Sequence, residues 1–329
     1  MALEKGRQQY LAIKPEATRF TAETTGFTKF LPWTDKVFNN ETAYENDESA
    51  IGNRGKLLDK TLSSQYGTFS FGSKVDADNI LLPLYHTFGA ATPTTADGAT
   101  TWAFSFLQNI QLPTFTAQYE RGDEGAKRMV GCTVNTLNLV FGLDDSKYTV
   151  DGSAIKEEAG NAQTVAYSKP ERKLVGRHAK LYYADDLATV TSGGTEIKIK
   201  SIETTIENGV DALRAHELGD VNPSEITADG ITVQITFDSL IKTANAPADF
   251  QTWADTGVKK AFRLTVEADN LPVIGSSLLK PLLELYIPPS AIKVTNATPL
   301  DDLVMKTIEI EVEQPELITA KLINEVAAL

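Results

Sequence analysis

The feature that most constrains this chain is an alternation of apolar and polar residues with period two, recurring in short runs from about residue 102 onward. Trp102, Phe104 and Phe106 alternate with Ala103 and Ser105. Ile231, Val233, Ile235 and Phe237 alternate with Thr232, Gln234 and Thr236, and Phe262, Leu264 and Val266 with Arg263, Thr265 and Glu267. Successive side chains of a strand point to opposite faces, so such a run makes a ribbon with one dry and one wet face. Many short ribbons separated by turn residues predict a mainly β fold, a sandwich or barrel.

Other runs extend the pattern. Phe115, Ala117 and Tyr119 alternate, as do Ile202 to Ile206 and Ile308, Ile310 and Val312. Leu283, Leu285 and Ile287 precede Pro288 and Pro289, which predict the end of a strand. Val130 to Phe141 alternates too, but its apolar phase shifts by one residue between Val134 and Leu137, as a β-bulge requires. Helical spacing runs over Asp76–Gly89, with Asp76 or Asp78 at its start, Gly89 at its end and Pro83 shortening or kinking it. Residues 90–101 read as a loop, 143–171 as a loop or insertion, and 248–254 as a further short helix. The last stretch, 315–329, reads as a terminal helix or an arm.

Residues 1–60 carry scattered aromatics, from Tyr10 to Tyr44, without a helical period. They read either as an arm and long loop lying on another subunit or as a meandering β-segment packed on its own domain. The arm reading predicts that deleting Ala2 to about Asn40 leaves a folded core. The organisation is then an arm at 1–60, a β-sandwich domain at 61–314 and a tail at 315–329.

The 329 residues are 42% hydrophobic, enough for a packed core. The net charge of −13 opposes binding of duplex DNA by phosphate neutralisation. Cys132 is the only cysteine, so no intrachain disulfide forms, and no apolar run approaches the roughly 20 residues of a membrane span. Three histidines, His86, His178 and His216, are widely spaced and form no zinc signature. Asp144–Asp145, Asp185–Asp186 and Asp301–Asp302 lack the spacing of a calcium loop and read as solvated turns. No nucleophile elbow, phosphate loop or dinucleotide fingerprint occurs. Cys132, in a strand pattern, reads as an inert thiol. No enzyme activity, metal or cofactor is expected.

The most informative charge pattern is Glu309, Glu311 and Glu313, which period two places on one strand face opposite Ile308, Ile310 and Val312. Glu267 and Asp269 make a shorter row. Either these are ordinary solvent faces, or they form a negative surface turned towards something that must not adhere.

The stretches KGRQQYLAIKPEATRFT (5–21), YENDESAIGNRGK (44–56), the leucine-rich helix ending in glycine at 79–89, GCTVNTLNLVFG (131–142), LLELYIPPSAIK (282–293) and KTIEIEVEQPE (306–316) carry a common resemblance. Together they resemble the major tail proteins, or tail tube proteins, of long-tailed phages. The most specific is Gly131–Leu139. Extra segments near 143–171 and 211–225 depart from the shortest tube proteins. The resemblance implies a tail-tube-type β-sandwich or barrel with a flanking helix and extended arms and loops. It further implies self-assembly into stacked rings, usually hexamers, with an acidic lumen that conducts DNA at ejection without binding it. The implied partners are the tape measure protein within the lumen and the tail terminator and distal tail proteins. The implied location is the phage tail of a virion made in the host cytoplasm, with no membrane partner. Glu309, Glu311, Glu313, Glu267 and Asp269 are the candidate lumen residues. Another virion β-sandwich, such as a decoration or baseplate protein, or a carbohydrate-binding module is the alternative. A glycan binder needs clustered aromatics, and Trp33, Trp102 and Trp253 are scattered in the sequence.

Overall fold

A computed structural model describes residues 10–47, 59–109, 111–120, 125–143, 146–165, 173–212, 217, 220–241, 250–268, 273–300 and 303–329. In chain order the strands are β1 (Leu11–Pro15), β2 (Lys29–Phe30), β3 (Asp35–Asp47), β4 (Asp59–Lys74), β5 (Gly89–Ala96), β6 (Ala99–Phe106), β7 (Phe115–Glu120), β8 (Ala126–Phe141), β9 (Ser146–Ala154) and β10 (Lys156–Ala159). They continue with β11 (Ala179–Ala184), β12 (Thr195–Ile197), β13 (Ile199–Glu207), β14 (Val210–Asp211), β15 (Thr227–Ala228), β16 (Thr232–Ile241), β17 (Lys260–Glu267), β18 (Leu282–Leu300), β19 (Leu303–Glu311) and β20 (Thr319–Asn324). Three short helices accompany them: α1 (Leu81–Phe88), α2 (Leu187–Ser192) and α3 (Phe250–Thr256).

The predicted mainly β sandwich is what forms. The larger sheet runs β3-β4-β9-β8-β13-β16-β19-β18, every pair antiparallel. The smaller runs β5-β6-β20-β18-β17-β11-β12, also antiparallel. The inward residues of both, such as Phe237, Ile308 and Ile310 from one and Phe262, Leu264 and Leu285 from the other, belong to a single buried cluster. The period-two pattern therefore records which face of each strand meets the other sheet.

Two long strands change partners along their length: β18 passes between the two layers, and β8 passes from a third antiparallel group, β2-β1-β7-β8-β10, into the larger sheet. β18 pairs with β20 through Leu282–Tyr286, with β17 through Leu282–Ile287 and again at Ser290, and with β19 from Ala291 onward. Pro288 and Pro289 do not end this strand, as the sequence predicts; they mark where it changes sheets. Proline has no N–H to give a ladder, so the break in pairing falls there at little cost. β8 pairs with β7 and β10 in its first half and with β9 and β13 in its second. It carries two irregularities. Gly131 has φ +68 and lies at a register shift against β7, and a Cβ there would meet the Phe20 ring at 2.8 Å. The second shift, between Val134 and Thr136, is the predicted bulge. The displaced Asn135 holds the following segment, its side chain accepting from Val210 N at 2.8 Å. The most specific stretch of the resemblance is thus a strand that bends twice.

Helix α1 ends at Gly89 as predicted, in a left-handed conformation with φ 86. It begins later than predicted, at Leu81, which puts Pro83 in the first turn, where a missing N–H costs nothing. Asp76 instead forms a turn, its carboxylate accepting from Asp78 N at 3.0 Å. The short helix at 248–254 is present as α3.

Four stretches differ from the sequence reading. Most of residues 90–101 belongs to β5 and β6 rather than to a loop. Within 143–171, β9 is a central strand between β4 and β8; Tyr148 and Val150 were too short an alternation, with Gly152 after them, to be recognised. Within 315–329, β20 lies between β6 and β18, and the adjacent Leu322 and Ile323 hid its period by both being buried. Residues 10–47 follow the second of the two readings of the N-terminal region. Leu11, Ala12 and Ile13 are fully buried in β1 against β7, and Phe38 lies in the main cluster. Deleting residues 2–40 would open this core rather than spare it. Residues 48–58 and part of 211–225 lie outside the described residues.

Candidate functional site

The outer face of the larger sheet is polar across its whole width. Three cross-strand rows can be followed residue by residue. One runs Val37, Ser70, Asp151, Thr136, Glu207 and Thr232. The next runs Asp35, Gly72, Thr149, Asn138, Thr205, Gln234, Glu311 and Ala291. The third runs Lys74, Lys147, Val140, Glu203, Thr236, Glu309 and Lys293. Threonine recurs between the charged residues, as suits a β-branched, half-wetted surface. The only larger aliphatics in these rows are Val140 and, near the β3 edge, Val37.

Carboxylates outnumber cations here: Asp35, Asp151, Glu203, Glu207, Glu309 and Glu311 stand against Lys74, Lys147 and Lys293. Asp238 adds one more beyond the third row. Three of these carboxylates, Glu203, Glu309 and Asp238, accept hydrogen bonds from neutral donors. Asn138 Nδ2 donates to Glu203 at 2.7 Å and Gln234 Nε2 to Glu309 at 2.9 Å. Ser201 Oγ and Thr307 Oγ1 donate to Asp238 at 3.0 and 2.7 Å. Such bonds fix the side chain and leave its charge in place.

The structure separates the candidates read from sequence. Glu309 and Glu311 share this face, with Ile308 and Ile310 buried behind them, as expected. Glu313 lies past the end of β19 and pairs with Lys259 at 2.6 Å. Glu267 is on the outer face of the smaller sheet, opposite Leu282, with Lys280 at 3.4 Å. Asp269 lies outside the described residues. The two outer faces of a sandwich point away from each other, so Glu267 and Glu309 do not share a surface. Sequence reasoning missed Glu203, Glu207, Asp238 and Asp151. Glu203 and Glu207 were legible, since they alternate with Ile202, Thr204 and Ile206; Asp151 was hidden in the unrecognised β9.

The outer face of the smaller sheet is built differently. Glu284 is 6% exposed and lies among Lys321 Nζ at 3.1 Å, Arg263 at 4.0 Å and the Tyr286 hydroxyl, which donates to it at 2.8 Å. Arg263 also donates to the carbonyls of Thr191 and Gly193 at 2.9 and 3.1 Å and stacks over Tyr182 at 4.7 Å. Burial, and then the bond to Glu284, push the Tyr286 phenol well above its ordinary range.

Several other titratable groups serve the fold. Cys132 is fully buried, and burial, reinforced by the charge of Glu16, pushes its thiol up. His86 is buried against Phe115 with Nδ1 3.1 Å from Pro113 O, and desolvation lowers it to about 4. Asp186 caps α2 by accepting from Thr189 N at 2.8 Å, and Asp185 pairs with Lys260. His216 and the other two aspartate pairs lie outside the described residues. Among the described residues, no three His, Cys, Asp or Glu side chains converge as metal ligands. No helix among them is long and apolar enough to cross a membrane.

Fold and surface together define a class: an all-β sandwich that presents a broad, continuous sheet face. The phage tail tube protein family model matches residues 6–312, nearly the whole chain, and the chain belongs to that family. The family is structural and not enzymatic, which makes this protein a component of a phage tail. No curated protein matches it.

Proposed function

We propose that the protein assembles into stacked rings, hexameric as is usual for tube proteins, and that the outer face of its larger sheet lines the lumen through which DNA leaves. The observation that carries this reading is the continuity of the polar face from β4 to β19, with carboxylates held by neutral donors. Negative charges around a narrow channel with low-dielectric walls add their fields. Passing phosphates are then held off the wall and surrender few counterions to it. A cationic lining would trap DNA by the same physics. The lack of aromatic residues in the cross-strand rows removes the stacking platforms on which bases adhere.

The same channel would house the tape measure protein before ejection, and the tube ends would meet the tail terminator and distal tail proteins. Synthesis in the host cytoplasm fits a chain whose single cysteine is buried. Glu309 and Glu311 are the lumen residues of this proposal; Glu267 faces the opposite way and is not. Replacing Glu309 and Glu311 with lysine tests it. Tubes should still form, because both side chains lie outside the core, and phages carrying them should eject DNA more slowly. Ejection at the parental rate from tubes of normal appearance would reject the assignment.

A further inference from the structure

One end of the smaller sheet carries an apolar knob. The loop 273–280, between β17 and β18, folds onto the β5–β6 turn and is fixed there. Ser276 N donates to Asp97 O at 3.1 Å, Ile274 N to Leu279 O at 2.9 Å and Ser277 N to Ile274 O at 3.1 Å. Gly275, at φ +57, lies so close to that turn that a Cβ on it would sit 2.5 Å from Asp97 O. Ile274 is buried beneath the loop with Ala99 and Ile323. Yet the loop turns Leu278 outward at 91% exposure, flanked by Val273 at 42% and Leu279 at 40%. A loop anchored by backbone bonds and one buried residue has no folding need for an exposed leucine at its tip.

The opposite end of β6 carries a socket. Phe106, Leu107, Leu112, Ile231 and Pro315 line a cavity of about 370 Å³. Leu317, 49% exposed, ends the short turn that Pro315 begins. The polar residues Gln108, Asn109, Asp229 and Glu316 share the lining, together with the buried Asn208. The knob rests on the turn that begins β6 and the socket starts at the residue that ends it, so the length of that strand, about 25 Å, separates them.

We propose that the two are halves of one contact: the loop 273–280 of one subunit seats Leu278 in the Phe106–Pro315 cavity of a second copy of the chain. Different patches on the two copies meet, so the contact is heterologous: instead of closing into a pair it propagates, round a ring or along an axis. We place it between rings, where it joins one ring to the next, and the inference rests on the tube reading above. A single leucine in a pocket of mixed lining binds weakly by itself. Copies repeated around a ring add together through their high effective concentration.

The experiment compares assembly of the full-length wild-type chain with Leu278→Asp by sedimentation and electron microscopy. Leu278 is outside the core, so the variant should fold normally. Its concentration for assembly should rise by at least about tenfold, the equilibrium equivalent of one lost leucine burial. A second measurement uses Leu278→Cys and Gln108→Cys. Under mild oxidation the doubly substituted chain should give a ladder of covalent multimers, and each single variant alone should not. If the wild type polymerises and Leu278→Asp does so equally well without a ladder from the double variant, the contact is wrong and the tube reading stands. A dimer from Leu278→Cys alone would show knob against knob and also overturn the contact. If the wild type forms no polymer over a wide concentration range, both readings fall.

Discussion

The two outer faces of this sandwich carry similar sequence signals and opposite electrostatics. On the larger sheet, Glu203, Asp238 and Glu309 receive hydrogen bonds from amide and hydroxyl donors. On the smaller sheet, Glu284 is enclosed by Arg263, Lys321 and Tyr286. Neutral donors leave a field that reaches into solvent; cationic donors cancel it within a few ångströms. A carboxylate in a period-two row is therefore not informative until its partners are known. The first face is arranged to project charge and the second to consume it.

The largest test of that contrast is Glu284→Ala. It strands Arg263 and Lys321 beside each other in a partly buried site, and chemical denaturation should show a loss of about 3 kcal/mol. A loss below about 0.5 kcal/mol would mean that Glu284 is no more integral than a surface acid.

Alkaline pH sharpens the same contrast. A phenol whose folded value is raised contributes stability that is complete below its unfolded value near 10 and is lost as pH rises above it. Tyr286, raised by burial and by Glu284, gives the smaller sheet such a dependence, and the outer face of the larger sheet has no counterpart in its cross-strand rows. Tyr286→Phe should therefore flatten the decline in stability above pH 10, by well under about 1.4 kcal/mol per pH unit because the site is partly solvated. Tyr148, buried in the core and raised likewise, should keep part of the slope. An unchanged slope in Tyr286→Phe would remove the phenol from the Glu284 cluster.

The smallest effect belongs to the first face. Glu309→Gln and Glu311→Gln should each change stability by less than about 0.5 kcal/mol, since neither carboxylate supports a buried group. A large loss in either would make the row structural rather than a surface.

Much of the fold was legible because one face of each strand is dry. The alternations at Trp102–Phe106, Ile231–Phe237 and Ile308–Ile310 led directly to strands with the correct inward face, and the phase shift after Val134 led to the bulge. What could not be read depended on contacts distant in the chain. β9 earns its central place from β4 and β8, not from its own Gly152-containing sequence. β20 is buried on both sides near Ile323 because the loop 273–280 covers it, which erases the alternation. The candidate site was half legible for the same reason. Period two identified Glu309 and Glu311, but nothing local shows that Glu267 belongs to the other sheet, because strand order is not written in any one strand.

The lumen assignment puts the Thr205–Glu311 face on the inside of the assembled tube. Cys132 is fully buried, so an introduced thiol can be followed against a silent background. Thr205→Cys places that thiol on the acidic face, and Lys180→Cys places one on the outer face of the smaller sheet. Both variants are treated with a maleimide on a polymer too bulky to enter the tube, as free subunits and after assembly. The account predicts that both react as subunits and that assembly protects Thr205→Cys while Lys180→Cys stays reactive. Full reactivity of Thr205→Cys in intact tubes would put the acidic face on the outside and contradict it.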